Sequence, residues 1–122
     1  MPEYYLDEEW NMVKAPMTTQ DLASWANFFQ KKYFPDVEAD VQVGINTNSK
    51  FQGAACFEPE RMMIHIAQAI TPFENMAKIA LLHEMVHVKL QLLFNKEDAD
   101  HGKAFKSEIK RLIEAGAYDS LL

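Results

Sequence analysis

Cysteine is almost missing from this sequence. Cys56 is the only one in 122 residues, so no intrachain disulfide can form. Positive charge is in short supply too: 12 Lys and Arg stand against 18 Asp and Glu, for a formal net charge of -6. That balance disfavours strong nonspecific attraction to nucleic acid, which depends on Lys and Arg neutralising phosphates. Two local groups are the candidates for a basic patch, Lys31-Lys32 and the set Lys103, Lys106, Lys110 and Arg111. The second set reads as a solvated helix face. No apolar run reaches membrane-spanning length. The opening Met1-Pro2-Glu3-Tyr4-Tyr5 is acidic and aromatic, not basic then apolar like a secretory leader, so a soluble cytoplasmic protein is expected. Repeats, low-complexity tracts and linkers are lacking.

What the chain does have is material for a core. Its 48% hydrophobic content suits one globular domain at this length. Residues 1–17 read as an N-terminal arm and residues 18–122 as the folded core. The arm mixes Glu3, Asp7, Glu8 and Glu9 with Tyr4, Tyr5, Leu6 and Trp10, and an arm or short helix that docks its aromatics is expected. Thr18 or Thr19 can cap a first helix running to about Tyr33, and Thr18 with Asp21 fits a capping box. Leu22, Trp25, Ala26, Phe29 and Tyr33 form its apolar stripe, and Pro35 stops it.

Next, Val41, Val43 and Ile45 alternate with Gln42, Gly44 and Asn46, the pattern of a half-buried strand. A turn from Asn46 to Lys50, a strand from Gln52 to Phe57, a tight turn at Glu58-Pro59-Glu60 and a strand from Arg61 to Ala67 complete an expected antiparallel meander. Cys56 reads as a small buried strand residue, and His65 as an ordinary strand histidine on the face opposite Ile64 and Ile66. The last helix, about Gly102 to Ala115, carries Phe105, Ile109, Leu112 and Ile113 on one stripe and ends before Gly116, a natural C′ residue.

Between sheet and final helix lies a long helical segment, about Pro72 to Asn95. Thr71 can be its N-cap, Pro72 its first residue, and Glu74 the partner in a capping box. Apolar residues recur at Phe73, Met76, Ala77, Ala80, Leu81, Met85, Val88 and Leu92, while Ile79, Leu82, Val86, Leu90 and Leu93 fill much of the remaining circumference. A helix apolar nearly all round belongs in the middle of its domain.

That helix contains His83-Glu84-Met85-Val86-His87. Two imidazoles four residues apart, with a carboxylate beside the first, are the zinc-peptidase arrangement. On a helix they are separated by about 400° of rotation and about 6 Å of rise, so one ion can bridge them. Glu84 lies about 100° round, badly placed as a ligand but within reach of a water at the metal. Burying these three groups unpaired costs a few kcal/mol, which a divalent cation offsets.

A catalytic zinc site needs a third protein ligand. Glu97, Asp98, Asp100, His101 and Glu108 are the downstream candidates. His101 is favoured, because Asp100 can cap the last helix and fix His101 in its first turn, and the thirteen residues from Val88 to Asp100 let the chain fold back. Glu108 is the runner-up, and Asp100 could instead accept the free ring N–H of a ligand histidine.

With Asp100-His101-Gly102 and then Phe105 behind it, the His83 to His87 motif resembles that of the SprT-like metallopeptidases. Gly53-Ala54-Ala55-Cys56 and Met63-Ile64-His65-Ile66 are also similar to the strands that precede their active-site helix, and the resemblance spans roughly Trp25 to Ile113. It implies an α+β, zincin-like minimal domain over residues 18–122: an N-terminal helix, a small three-stranded antiparallel sheet, a long HExxH helix and a C-terminal helix. It implies Zn2+ held by His83, His87 and His101, with Glu84 as catalytic acid/base. Many members carry a C-terminal zinc ribbon, which a chain with one cysteine cannot build. The expected function is zinc-dependent hydrolysis of protein or peptide substrates, which add to an exposed edge strand such as Arg61 to Ala67. The alternatives are a DNA-associated protease, against which the acidic balance stands, and an inert zinc-stabilised binding module.

Overall fold

The computed structural model describes residues 4–6, 12–48, 50–51, 53–94 and 102–121. In the N-terminal arm, β1 (Tyr4–Leu6) pairs antiparallel with β2 (Met12–Lys14), with Tyr5 opposite Val13. The described residues of the arm are thus two paired strands, not a short helix.

Helix α1 (Thr19–Tyr33) opens as its sequence predicts. The Thr18 hydroxyl accepts from the Asp21 N–H at 3.1 Å, and the Asp21 carboxylate accepts from the Thr18 N–H at 2.9 Å. The reciprocal pair satisfies two N–H groups that a helix start leaves without partners. Leu22, Ala26, Phe29 and Tyr33 turn one face into the core. Past the helix, the Gln30 amide donates to the carbonyls of Val37 and Ala39 at 3.0 and 2.8 Å, which pins the following loop beneath α1 and steers the chain into the sheet.

The sheet contains β3 (Gln42–Asn46), β4 (Ala55–Glu58) and β5 (Met63–Ala67), in the spatial order β3-β5-β4. β5 runs antiparallel to β4, with Cys56 opposite His65, and parallel to β3, with Gly44 opposite the same His65. The expected antiparallel meander is therefore corrected to a mixed sheet. Pro59–Arg61 form one 3-10 turn, and Met62 at φ 48 closes a tight link between β4 and β5. The link from residue 47 to residue 54 is long enough to carry the chain past one strand position. β5 takes the centre because its Ile64 and Ile66 are both 0% exposed. Hence the Arg61 to Ala67 segment offers no edge, and the edges belong to β3 and β4.

The period-2 alternation of the strands fixes the facing of each side chain. Ala55 and Phe57 pack on the core, so Cys56 and Glu58 turn the other way. Cys56 is exposed, which corrects its expected burial. His65 shares that outer face, and its Nε2 lies 3.0 Å from Glu58 Oε1.

Helix α2 (Glu74–Phe94) lies on the inner face. It starts later than the sequence suggests, and Thr71 plays another part. The Thr71 hydroxyl donates to the Gln68 carbonyl at 2.8 Å, closing the 3-10 turn Gln68–Ile70 that precedes the helix. Leu81, Leu82, Met85, Val86 and Val88 are fully buried. The ends are not: Phe73, Met76 and Leu92, expected in the core, are exposed. A helix of 21 residues is about 31 Å long, whereas a strand of 5 residues spans about 17 Å, so α2 overhangs the sheet. Among the described residues no helix is long and apolar enough to cross a membrane.

Helix α3 (Lys103–Glu114) has Gly102, not Asp100, as its N-cap. Phe105 and Leu112 are buried, Ile113 is exposed, and Lys103, Lys106 and Lys110 form the solvated face the sequence suggests. At the other end Gly116 takes φ 86, and the N–H groups of Gly116 and Ala117 bond back to the carbonyls of Ile113 and Leu112. These are the two bonds of a Schellman stop, and only glycine adopts that φ without strain.

A charged network holds α3 in place. Lys89, 8% exposed on α2, lies 3.0 Å from Glu108 Oε1 and 3.2 Å from Asp36 Oδ2. The Arg111 guanidinium binds Glu108 at 2.9 Å and donates to the Tyr33 carbonyl at 2.8 Å, at the C-terminal end of α1. Burial alone raises the Glu108 carboxyl, but hydrogen bonds from Arg111 and Lys89 and their charges outweigh it and hold it below its usual value. A carboxyl depressed in the fold stabilises it above the ordinary value of about 4.5, and that contribution is lost as pH falls through the lower folded value. Glu108→Gln should therefore cost about 3 kcal/mol at neutral pH, by leaving Lys89 buried beside one partner fewer. In denaturant titrations the gap from wild type should shrink on acidification below the ordinary carboxylate range; a gap independent of pH would contradict this assignment.

Candidate metal centre

His83, Glu84 and His87 stand together on α2, with a ligand-capable atom of each within 4.8 Å of the others. The helix alone accounts for the grouping, since positions i and i+4 share a face. The two imidazole rings lie 5.1 Å apart between centroids, at an interplanar angle of 65°. His83 Nε2 is 4.0 Å from Glu84 Oε2. Both rings are half-buried, whereas Glu84 is only 6% exposed.

Two elements enclose the group. From α3, the buried ring of Phe105 sits 4.8 Å from the centroids of both imidazoles, a shared wall behind the pair. On the other side, β4 and α2 bound an open cleft of about 330 Å3, lined by Ala54, Ala55, Met76, Ile79, Ala80, His83 and Glu84. A larger groove of about 900 Å3 runs between α1 and β3, but it contains neither histidine nor cysteine.

Burial pushes the Glu84 carboxyl up to about 7. The cause is loss of hydration, which penalises the charged form. A cation between the imidazoles would oppose that penalty, so the donor set suits a divalent ion: two neutral nitrogens and a basic carboxyl at its flank.

The structure thus brings together three of the four residues singled out by sequence. The fourth, His101, lies outside the described residues, as do Glu97, Asp98 and Asp100. Glu108, the runner-up, is occupied by Lys89 and Arg111. His65 and Cys56 stand on the outer face of the sheet and do not line the cleft. Sequence reasoning overlooked the contact of Phe105 with both rings, although its place in an apolar stripe and its position after Asp100-His101-Gly102 both marked it. It also overlooked Ala54 and Ala55 as cleft walls, because alanine carries no chemistry to mark it.

Residues 20–119 match the model of the SprT-like family. The chain belongs to the SprT-like family. No curated protein matches it in sequence. Among solved structures, this SprT-like chain is similar to the metallopeptidase zymogen jannalysin of Methanocaldococcus jannaschii, with 16% identity, a TM-score of 0.58, and coverage of 83% of this chain and 89% of the other. It is also similar to the metallopeptidase zymogen abylysin of Pyrococcus abyssi, with 19% identity, a TM-score of 0.54, and coverage of 85% and 88%. At those identities the likeness is one of fold, and it places the SprT-like chain in the expected α+β, zincin-like class.

Phe105 packs on both imidazoles, so it should set their orientation. Phe105→Leu keeps an apolar residue at a buried site and should leave the domain folded. It should weaken divalent-metal affinity by about tenfold, the lower end of what loss of a ligand-orienting neighbour costs. Calorimetric titration of the metal-free protein with zinc checks this; wild-type affinity in a folded variant would show that the ring is only filler.

Proposed function

We propose that this SprT-like protein is a zinc-dependent metallopeptidase that cleaves peptide bonds with Glu84 as general base. The observation that carries the reading is the His83, Glu84 and His87 group on a buried helix, open on one side to a cleft beneath a free strand edge. The names of its structural neighbours, both metallopeptidase zymogens, agree with it. His83 and His87 would hold the ion, and His101 is proposed as the third ligand. When bound, a zinc ion supplies Lewis acidity to a carbonyl oxygen and to a water molecule.

The chain's own residues do the rest. Glu84 flanks the imidazoles and is lifted by burial to about 7, which suits it to accept a proton from water and return it to the departing amine near neutral pH. Cleft walls of alanine, isoleucine and methionine limit bulk water around that carboxyl and strengthen its interactions. Among the described residues the outer edge of β4 has no strand paired to it, and Ala55 at its start lines the cleft. An extended peptide can add there as a further strand through main-chain hydrogen bonds, which brings one of its carbonyls over the imidazoles. This edge takes the role that the sequence alone assigned to Arg61 to Ala67. A buried, basic Glu84 favours a working site over an inert zinc-stabilised module.

Elemental analysis and peptide hydrolysis, run side by side on three proteins, test the reading. Wild type should contain close to one zinc per chain and cleave an unfolded protein substrate. Glu84→Gln should keep the metal and fold but lose hydrolysis by orders of magnitude, since only the proton carrier is gone. His101→Ala should lose most of its zinc. Wild-type turnover in Glu84→Gln would refute the assigned role, and full zinc content in His101→Ala would move the third ligand to Asp98 or another neighbour.

A further inference from the structure

We propose that the cleft beside His83 and Glu84 selects substrates with a bulky, uncharged apolar side chain next to the scissile bond. The proposal rests on the peptidase reading above and names its substrate class. The cleft of about 330 Å3 is walled by Ala54 and Ala55 on one side and by Met76, Ile79 and Ala80 on the other, and among the described residues its only polar linings are His83 and Glu84. The space exists because three of those walls are alanines. Met76, Ala80 and His83 follow one another at helical spacing, so the apolar bed runs along one face of α2 directly into the imidazoles. Met76 is four to seven residues upstream of these positions, which is about 6 to 10 Å of rise, the reach of a side chain on a peptide laid along β4.

Exposure points the same way. Met76 is 52% exposed at the mouth of this cleft, an apolar surface that a substrate side chain would cover. Leu, Met and Phe are the natural occupants. An acidic side chain would meet Glu84 and lose its hydration, and among the described residues a Lys or Arg would find no carboxylate in the lining except Glu84 itself. A small side chain such as Ala would leave the bed uncovered. The two residues best suited to probe the pocket, Met76 and Ala54, are both exposed, so changes there leave the core intact.

The test is a series of quenched fluorescent peptides of Gly, Ser and Ala in which one central residue is Ala, Leu, Phe, Glu or Lys, with the cleaved bond read by mass spectrometry. Wild type should cut beside Leu or Phe, with kcat/KM about tenfold or more above the Ala peptide. Ala54→Phe, which fills the cavity, and Met76→Lys, which puts a charge in its wall, should each bring that ratio towards one. A ratio near one in wild type, or an unchanged ratio in both variants, overturns the proposal. Binding of the same peptides to Glu84→Gln, followed by calorimetry, tests the pocket apart from turnover. Tighter binding of the Leu and Phe peptides supports it, and equal affinities overturn it. Selective binding with no cleavage of any peptide by wild type leaves the pocket standing and removes the peptidase reading alone.

Discussion

Three polar side chains placed in the buried middle of a helix set the terms for the rest of this domain. α2 packs under the sheet with five consecutive-turn residues fully buried, yet Glu84 is carried almost as deep as they are. Each neighbouring element responds to that burden. α3 brings Phe105 against both imidazoles. Ala54 and Ala55, at the start of β4, wall the opposite side of an open cleft. The raised carboxyl is the electrostatic result of this enclosure, since a group in a low-dielectric wall resists charge until a cation or a proton reaches it.

A second buried charge on the same helix shows the contrast. Lys89 is nearly as buried as Glu84, but it faces away from the cleft and is matched by Asp36 and Glu108. That pairing stitches α3 and the end of α1 to α2, and with them the wall behind the imidazoles. One buried ion is neutralised from within the fold and serves architecture. Among the described residues Glu84 has no cation so close, and burial alone raises its carboxyl.

Strand order matters more to the cleft than strand content. With β5 in the centre, the sheet presents β4 as the edge beside the cleft. A simple meander of the same three segments would put β4 inside and β5 at the edge. The tight turn at Pro59–Arg61 and the longer link before β4 are the local causes of that order, and neither contains a catalytic residue.

Local spacing was enough to read several features from the chain itself: the Thr18 capping box, the extent of α1, the Gly116 stop, and His83 and His87 on one helical face with Glu84 at its flank. These depend on residues within one or two turns of each other, where backbone geometry leaves little choice. Contacts distant in sequence decided the remainder. Which strand lies in the middle, which way Cys56 points, where α2 outruns the sheet and exposes Met76, and whether Glu108 faces a metal or Lys89 all turn on which surfaces meet. Periodicity marks a side chain as apolar or charged, but only packing assigns it a partner.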